Sequence, residues 1–99
     1  MCDHVLEAVA LSKGRSRNDL DSDRILFLAM VKLVEIVGEA ATRVPDFTQA
    51  DHPEIPWHEI VGTRNRLIHG YDAVDNDILW NIVTLDFPTL ATRLRALLP

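Results

Sequence analysis

Cysteine is nearly absent from this 99-residue chain: Cys2 is the single one, beside the start. One thiol closes no internal disulfide, so the chain reads as a protein of a reducing compartment, the cytoplasm. Long apolar runs are missing too. The longest fall far short of a bilayer span, which predicts no membrane partner. Asp3, His4 and Glu7 interrupt the N-terminal apolar residues, so no secretory leader is expected there. Glycine-rich phosphate loops are absent. His4, His52, His58 and His69 have no zinc-like pairing with cysteine, so no metal and no cofactor are expected. Asp72, Asp75 and Asp77 resemble the start of a calcium loop but lack its glycine and closing glutamate. Basic residues are in deficit: 10 Lys and Arg face 15 Asp and Glu, a formal net charge of -5. A protein that held nucleic acid mainly by neutralising phosphates would be basic. Any RNA contact must therefore come from a local patch.

What is present is helical patterning. Hydrophobic residues make up 47% and charged residues 25%, which is globular rather than disordered. The length predicts a single domain over residues 1–99 with a modest core, a size that often gains stability by pairing with a copy of itself. Period-2 alternation is missing from every convincing window. Val5, Leu6, Val9 and Ala10 form the apolar face of a short first helix, which ends before the polar loop Lys13–Asn18. Asp21 or Ser22 can cap a second helix. Its stripe is Leu26, Met30, Leu33, Val37, Ala40, Ala41 and Val44, and Pro45 ends it. Gly38 costs that helix about 1 kcal/mol relative to alanine, and a close approach by another helix is the expected compensation.

Residues 46–55 read as a connector. A third helix is expected from about Pro56 to Ile68, with Gly70 as terminator. Asp75 suits the N-cap of a fourth, with Val74 packing on Leu79. Ile78, Leu79, Ile82 and Val83 face inward. Pro88 should break or kink the chain before a last helix carrying Leu90, Leu94, Leu97 and Leu98. Short connections imply antiparallel neighbours, so the expected fold is all-α: an antiparallel bundle of four to five helices.

The third helix carries the chemistry. At roughly 100° per residue, Trp57, Ile60, Val61, Leu67 and Ile68 share one face, and Arg64 falls within that stripe. A buried cation there costs several kcal/mol unless it is paired or opens to a cleft, and such local violations concentrate at functional sites. Gly62 leaves room for something to approach. Asn65 and His69 are one turn apart. Arg64 and His69 lie roughly 140° apart on an ideal wheel, so a second copy across a two-fold axis would help both reach one target. These residue types permit metal-free cleavage of RNA. Histidine moves a proton near neutral pH, arginine stabilises phosphate charge, asparagine orients either, and the RNA 2′-hydroxyl is the nucleophile. Structural roles compete on the same residues. Arg64 can pair with Glu35 or Glu39, His69 can interact with a helix end, and Tyr71 can be a core tyrosine. Trp57 and Trp80 read as packing residues.

The stretch from Pro53 to Tyr71 resembles the HepT-like branch of the HEPN superfamily, whose motif is Arg, a polar residue, three more, His, any residue, Tyr. Here Arg64, Asn65, His69 and Tyr71 match it. Glu35–Ala41 resembles the family's second helix and Asp77–Trp80 its fourth, so the likeness spans roughly residues 23–90. The first helix is shorter than is usual in the family. The resemblance implies a HEPN-like bundle forming a homodimer with the motifs facing each other. It implies a toxin-like, metal-independent endoribonuclease of a type II toxin–antitoxin pair, with Arg64, Asn65 and His69 catalytic. It also implies an MNT-type nucleotidyltransferase antitoxin as partner, able to transfer AMP to Tyr71. Arg66 joins the site as an RNA-binding residue, and Arg64, Arg66, Arg15, Arg17 and Lys13 are candidates for a local basic patch. The alternative is a non-catalytic helical dimer that serves as partner and modification substrate of the nucleotidyltransferase.

Overall fold

The computed structural model describes residues 1–67 and 74–97, without the side chains of Arg64 and Asn65. Every regular element among them is helical: α1 (Cys2–Ser12), α2 (Asp19–Ser22), α3 (Arg24–Thr42), α4 (Asp46–Asp51), α5 (Trp57–Val61), α6 (Thr63–Leu67), α7 (Asn76–Asn81), a π-helical turn (Ile82–Asp86) and α8 (Phe87–Arg95). No described helix is long and apolar enough to cross a membrane.

α3 is the central element. Leu26, Met30, Leu33, Val34, Val37 and Ala41 are buried along it at the threes and fours of a helical stripe. Against this stripe pack α1, α2, α5 and α6, and α1 also lies on α8. In α1 the buried positions are Val5 and Ala8, with Leu6 and Val9 partly covered, while Ala10 is exposed. The cap of α3 is Asp23, whose carboxylate accepts from the Leu26 N–H at 3.0 Å. Asp21 and Ser22 do not cap it because they belong to α2. Thr42 ends the helix, so Val44, expected as the last member of its stripe, lies beyond it and is partly buried, and Pro45 follows.

The expected close approach occurs at Gly38. A Cβ there would stand 3.3 Å from the Ile60 carbonyl oxygen, so α5 crosses α3 where the side chain is missing. The 46–55 connector contains a short helix, α4. Gln49 stitches it to the end of α3, donating from Nε2 to the Val44 carbonyl at 3.0 Å.

The third helix is not continuous. It breaks at Gly62 into α5 and α6, although the Arg66 N–H still donates to the Gly62 carbonyl at 3.1 Å. Among the described residues, a Cβ at Gly62 would meet only the carbonyls of His58 and Glu59 in its own turn. Pro88 does not interrupt the last helical stretch. The π turn ahead of it lets the Phe87 N–H bond the Ile82 carbonyl, and Pro88, with no N–H to satisfy, sits in the first turn of α8. Leu79, Ile82, Val83, Phe87, Leu90 and Leu94 are buried along this stretch, and Ile78 is partly buried. Leu97 packs at its end, whereas Leu98 lies outside the described residues.

Candidate functional site

α6 carries the first part of the motif and is held at both ends. Thr63 is 5% exposed, and its hydroxyl donates to the Glu59 carbonyl at 3.0 Å, one turn back in α5. Leu67 is 1% exposed. The backbone of Arg64 and Asn65 is thus fixed between two buried anchors, on a helix packed against α3 and α7. The inward position between Ile60 and Leu67 is occupied by Thr63, and Val61 is 39% exposed instead of facing the core. Thr63 stands three residues from Ile60 and four from Leu67, so it shares their face of the wheel, whereas Val61 falls about 100° from Ile60.

Beyond Leu67 the chain passes out of the described residues and re-enters at Val74. The two ends are joined: the Asp75 N–H donates to the Leu67 carbonyl at 2.9 Å. Asp75 then caps α7 as expected, its carboxylate accepting from the N–H groups of Asp77 at 2.9 Å and Ile78 at 3.1 Å. Val74 is partly buried against the core. His69, Gly70, Tyr71 and Ile68 fall outside the described residues, as do the side chains of Arg64 and Asn65. Any pairing of Arg64 with Glu35 or Glu39 is outside them as well.

Of the candidate site residues, Arg66 is the one whose side chain is described. It is half-exposed, and Nη2 lies 3.7 Å from Asp86 Oδ2. The pair is loose and solvated, so the guanidinium keeps donors for another anion. Arg66 also borders a cavity of about 280 Å³ between α5–α6 and α8, lined among others by Glu59, Thr63, Asp86, Phe87 and Arg93. Arg93 is engaged there, donating to the Glu54 carbonyl at 2.6 Å.

Two members of the candidate basic patch are paired with carboxylates. Arg15 pairs with Asp23 at 3.2 Å, and Arg17 with both Asp21 at 2.8 Å and Asp77 at 2.5 Å. The hydrogen bond to Asp77 pushes the Arg17 pKa up, and bonds from Asn76 and Arg17 hold Asp21 below the ordinary carboxylate range. Asp23 is lowered too, by the Leu26 N–H and then by Arg15. Sequence reading did not find this polar corner, because its partners lie 55 and 60 residues apart. Trp57 is a packing residue, 8% exposed, with its indole N–H donating to the His52 carbonyl at 3.0 Å. Trp80 is partly buried against the core. Among the described residues no three His, Cys, Asp or Glu side chains gather as a metal site.

The decisive comparison is with protein families. The model described as "Ribonuclease HepT-like" matches residues 1–97. This chain belongs to the HepT-like family. A relative from Caldanaerobacter subterraneus subsp. tengcongensis, named a "putative RNase", is 35% identical over 97 residues, covering 98% of this chain and 84% of that protein. Another from Thermococcus cleftensis, named "Probable ribonuclease HepT", is also 35% identical over 97 residues, covering 94% of this chain and 88% of that protein. No solved structure matches. For a HepT-like chain, the α6 anchors and the Asp75–Leu67 bond are the parts of the frame that bracket the motif.

Proposed function

We propose that this protein is a metal-independent endoribonuclease, the toxin of a type II toxin–antitoxin pair. The observation that carries the reading is the order Arg64, Asn65, His69, Tyr71 within a chain matched by the HepT-like family over residues 1–97. The names of its relatives, both ribonucleases, support the same reaction class.

In this reaction a base takes the proton from a ribose 2′-hydroxyl. The 2′-oxygen bonds to the adjacent phosphorus as the bond to the 5′-oxygen breaks. A proton delivered to that oxygen completes departure of the 5′-hydroxyl strand and leaves a 2′,3′-cyclic phosphate. His69 serves the proton transfers, because imidazole takes and gives protons near neutral pH. Arg64 stabilises the negative charge on the phosphorane oxygens, and Asn65 orients the histidine or the phosphate. Arg66 holds a neighbouring phosphate. Two copies of the chain assemble the site, and the exposed Ile25 and Leu28 on α3 offer apolar surface for self-association. An MNT-type nucleotidyltransferase is the antitoxin partner. AMP on Tyr71 would add negative charge and bulk beside the phosphate site and so block RNA.

The test is RNA cleavage by unmodified protein in excess chelator, comparing wild type with His69→Ala at matched fold stability. Cleavage that survives chelator and vanishes in His69→Ala is expected. Intact RNA with the unmodified wild type, together with no toxicity in cells, would overturn the reading. A second reading draws on the net charge of -5 and on the neutralised Arg15 and Arg17. It makes the chain a non-catalytic dimer that serves as partner and substrate of the nucleotidyltransferase. Its signature is adenylate mass increments on co-expression, lost in Tyr71→Phe, with no cleavage by either protein.

A further inference from the structure

The polar corner joins three segments at the point where the chain returns from the motif. Arg17, between α1 and α2, donates from Nε to Asp77 and from Nη1 to Asp21. The other oxygen of Asp21 accepts from the Asn76 side-chain amide at 3.0 Å. Asn76 and Asp77 are the first two residues of α7. The residue before them, Asp75, is the one whose N–H closes onto Leu67. Arg17 and Asp21 therefore hold the pair of residues that follows the return anchor of residues 68–73.

These groups are poorly placed to stabilise the fold. The side chains of Asp21 and Asp77 are 56% and 75% exposed. Exposed ion pairs add little stability, because water screens them and ordering long side chains costs entropy. Their geometric effect is different. The guanidinium is planar and rigid, so one arginine bonding two carboxylates fixes their relative position. Asp21 extends that constraint through its second oxygen to Asn76. Phosphoryl chemistry is sensitive to such placement, and a displacement of about 1 Å can cost on the order of 100-fold in rate.

We propose that Arg17 and Asp21 are positioning residues for RNA cleavage, acting through Asn76 and Asp77 to fix the return anchor of the segment that carries His69 and Tyr71. The proposal rests on the ribonuclease reading. It also assigns Arg17 a role other than phosphate binding, which the two carboxylates on its guanidinium disfavour.

Three variants separate positioning from RNA binding and from folding. For a positioning residue, Arg17→Ala lowers kcat about tenfold or more, with KM within about twofold of wild type. Arg17→Lys rescues poorly, because an ammonium cannot hold both carboxylates in one plane. Asp77→Ala lowers kcat like Arg17→Ala, and the double variant is no worse than either single, as expected for one shared bond. If Arg17 instead bound RNA, Asp77→Ala would free it and lower KM, Arg17→Lys would restore activity, and the proposal would be wrong. Arg95→Ala, which removes one positive charge from the last turn of α8, is the control and keeps wild-type kcat. Amide exchange at Asp75 supplies a readout independent of activity: it should accelerate in Arg17→Ala while core amides stay protected. Unchanged Asp75 exchange overturns the clamp even if the wild type cleaves RNA. Intact RNA with wild type overturns the ribonuclease reading and the catalytic role of the clamp, with the anchor itself still judged by exchange.

Discussion

On the Leu67 side, the motif segment is tied down by burial. Thr63 and Leu67 are 5% and 1% exposed, and α5, directly before them, crosses α3 at Gly38 with no side chain between. On the Asp77 side the chain is tied down by polar groups at the surface: the exposed Asp21 and Asp77 and the partly buried Arg17 and Asn76, with Asp75 joining the two sides. The first kind of attachment draws on apolar area removed from water and resists salt and pH. The second is directional, adds little free energy and responds to both. One molecule thus fixes one end of the same segment by stability and the other by geometry. Substitutions at the two ends should fail in different ways.

The largest effect is expected on the buried side. Leu67→Ala removes most of a side chain that is 1% exposed, and should cost about 2–5 kcal/mol through lost burial and the cavity left behind. Urea denaturation measures it. A loss below about 1 kcal/mol would mean that α6 repacks freely and is not an anchor. Next comes Gly38→Val. Its Cβ would meet the Ile60 carbonyl oxygen at 3.3 Å, and that backbone atom cannot rotate away as a side chain can. Forcing α3 and α5 apart should cost about 1–3 kcal/mol. An unchanged midpoint would show that the crossing has slack.

This contrast also explains what the sequence disclosed. The stripe from Leu26 to Ala41, the spare room at Gly38 and the Asp75 cap are local patterns, and each is found where its spacing places it. Apolar periodicity reports burial directly, so the buried side was legible. The Arg17–Asp77 bond joins residues 60 apart, and neither residue belongs to a periodic pattern that would betray the other. Asp23 was hidden as a cap because Asp19–Ser22 makes a helical turn of its own just before it. Thr63 was missed as a core residue because the stripe was read from apolar residue types alone, although Thr63 stands three residues from Ile60 and four from Leu67 on the same face. The motif itself was visible as a spacing. A spacing fixes which residues are candidates, but not where the side chains of Arg64, Asn65, His69 and Tyr71 meet.

The joint between the two sides is Asp75, and its loss should have an intermediate effect. Asp75→Ala removes the acceptor for the N–H groups of Asp77 and Ile78 and should cost about 1 kcal/mol, the usual loss of an N-cap. Asp75→Asn should recover most of it, since the amide oxygen caps as well. Equal losses in both variants would locate the effect in charge rather than in the cap bond.

The smallest effect is expected from acid below about pH 4, and it should fall on the polar side alone. Asp21 and Asp23 titrate below their ordinary value of 3.8, Asp21 through Asn76 and Arg17, Asp23 through the Leu26 N–H and Arg15. A carboxyl whose pKa is lower folded than unfolded binds fewer protons in the native state. Its stabilisation is therefore complete above 3.8 and is lost as pH falls through the lower folded value. Between pH about 5 and 4, stability should be nearly flat with respect to these two groups; below that, the Asn76 side-chain amide and the Asp75 backbone amide should lose protection while the Met30 and Leu79 amides keep theirs. Asp21→Asn should remove its share of the acid slope and leave that of Asp23. Simultaneous loss of protection across core and corner would mean that the corner has no opening of its own and unfolds only with the bundle, which would erase the distinction between the two attachments.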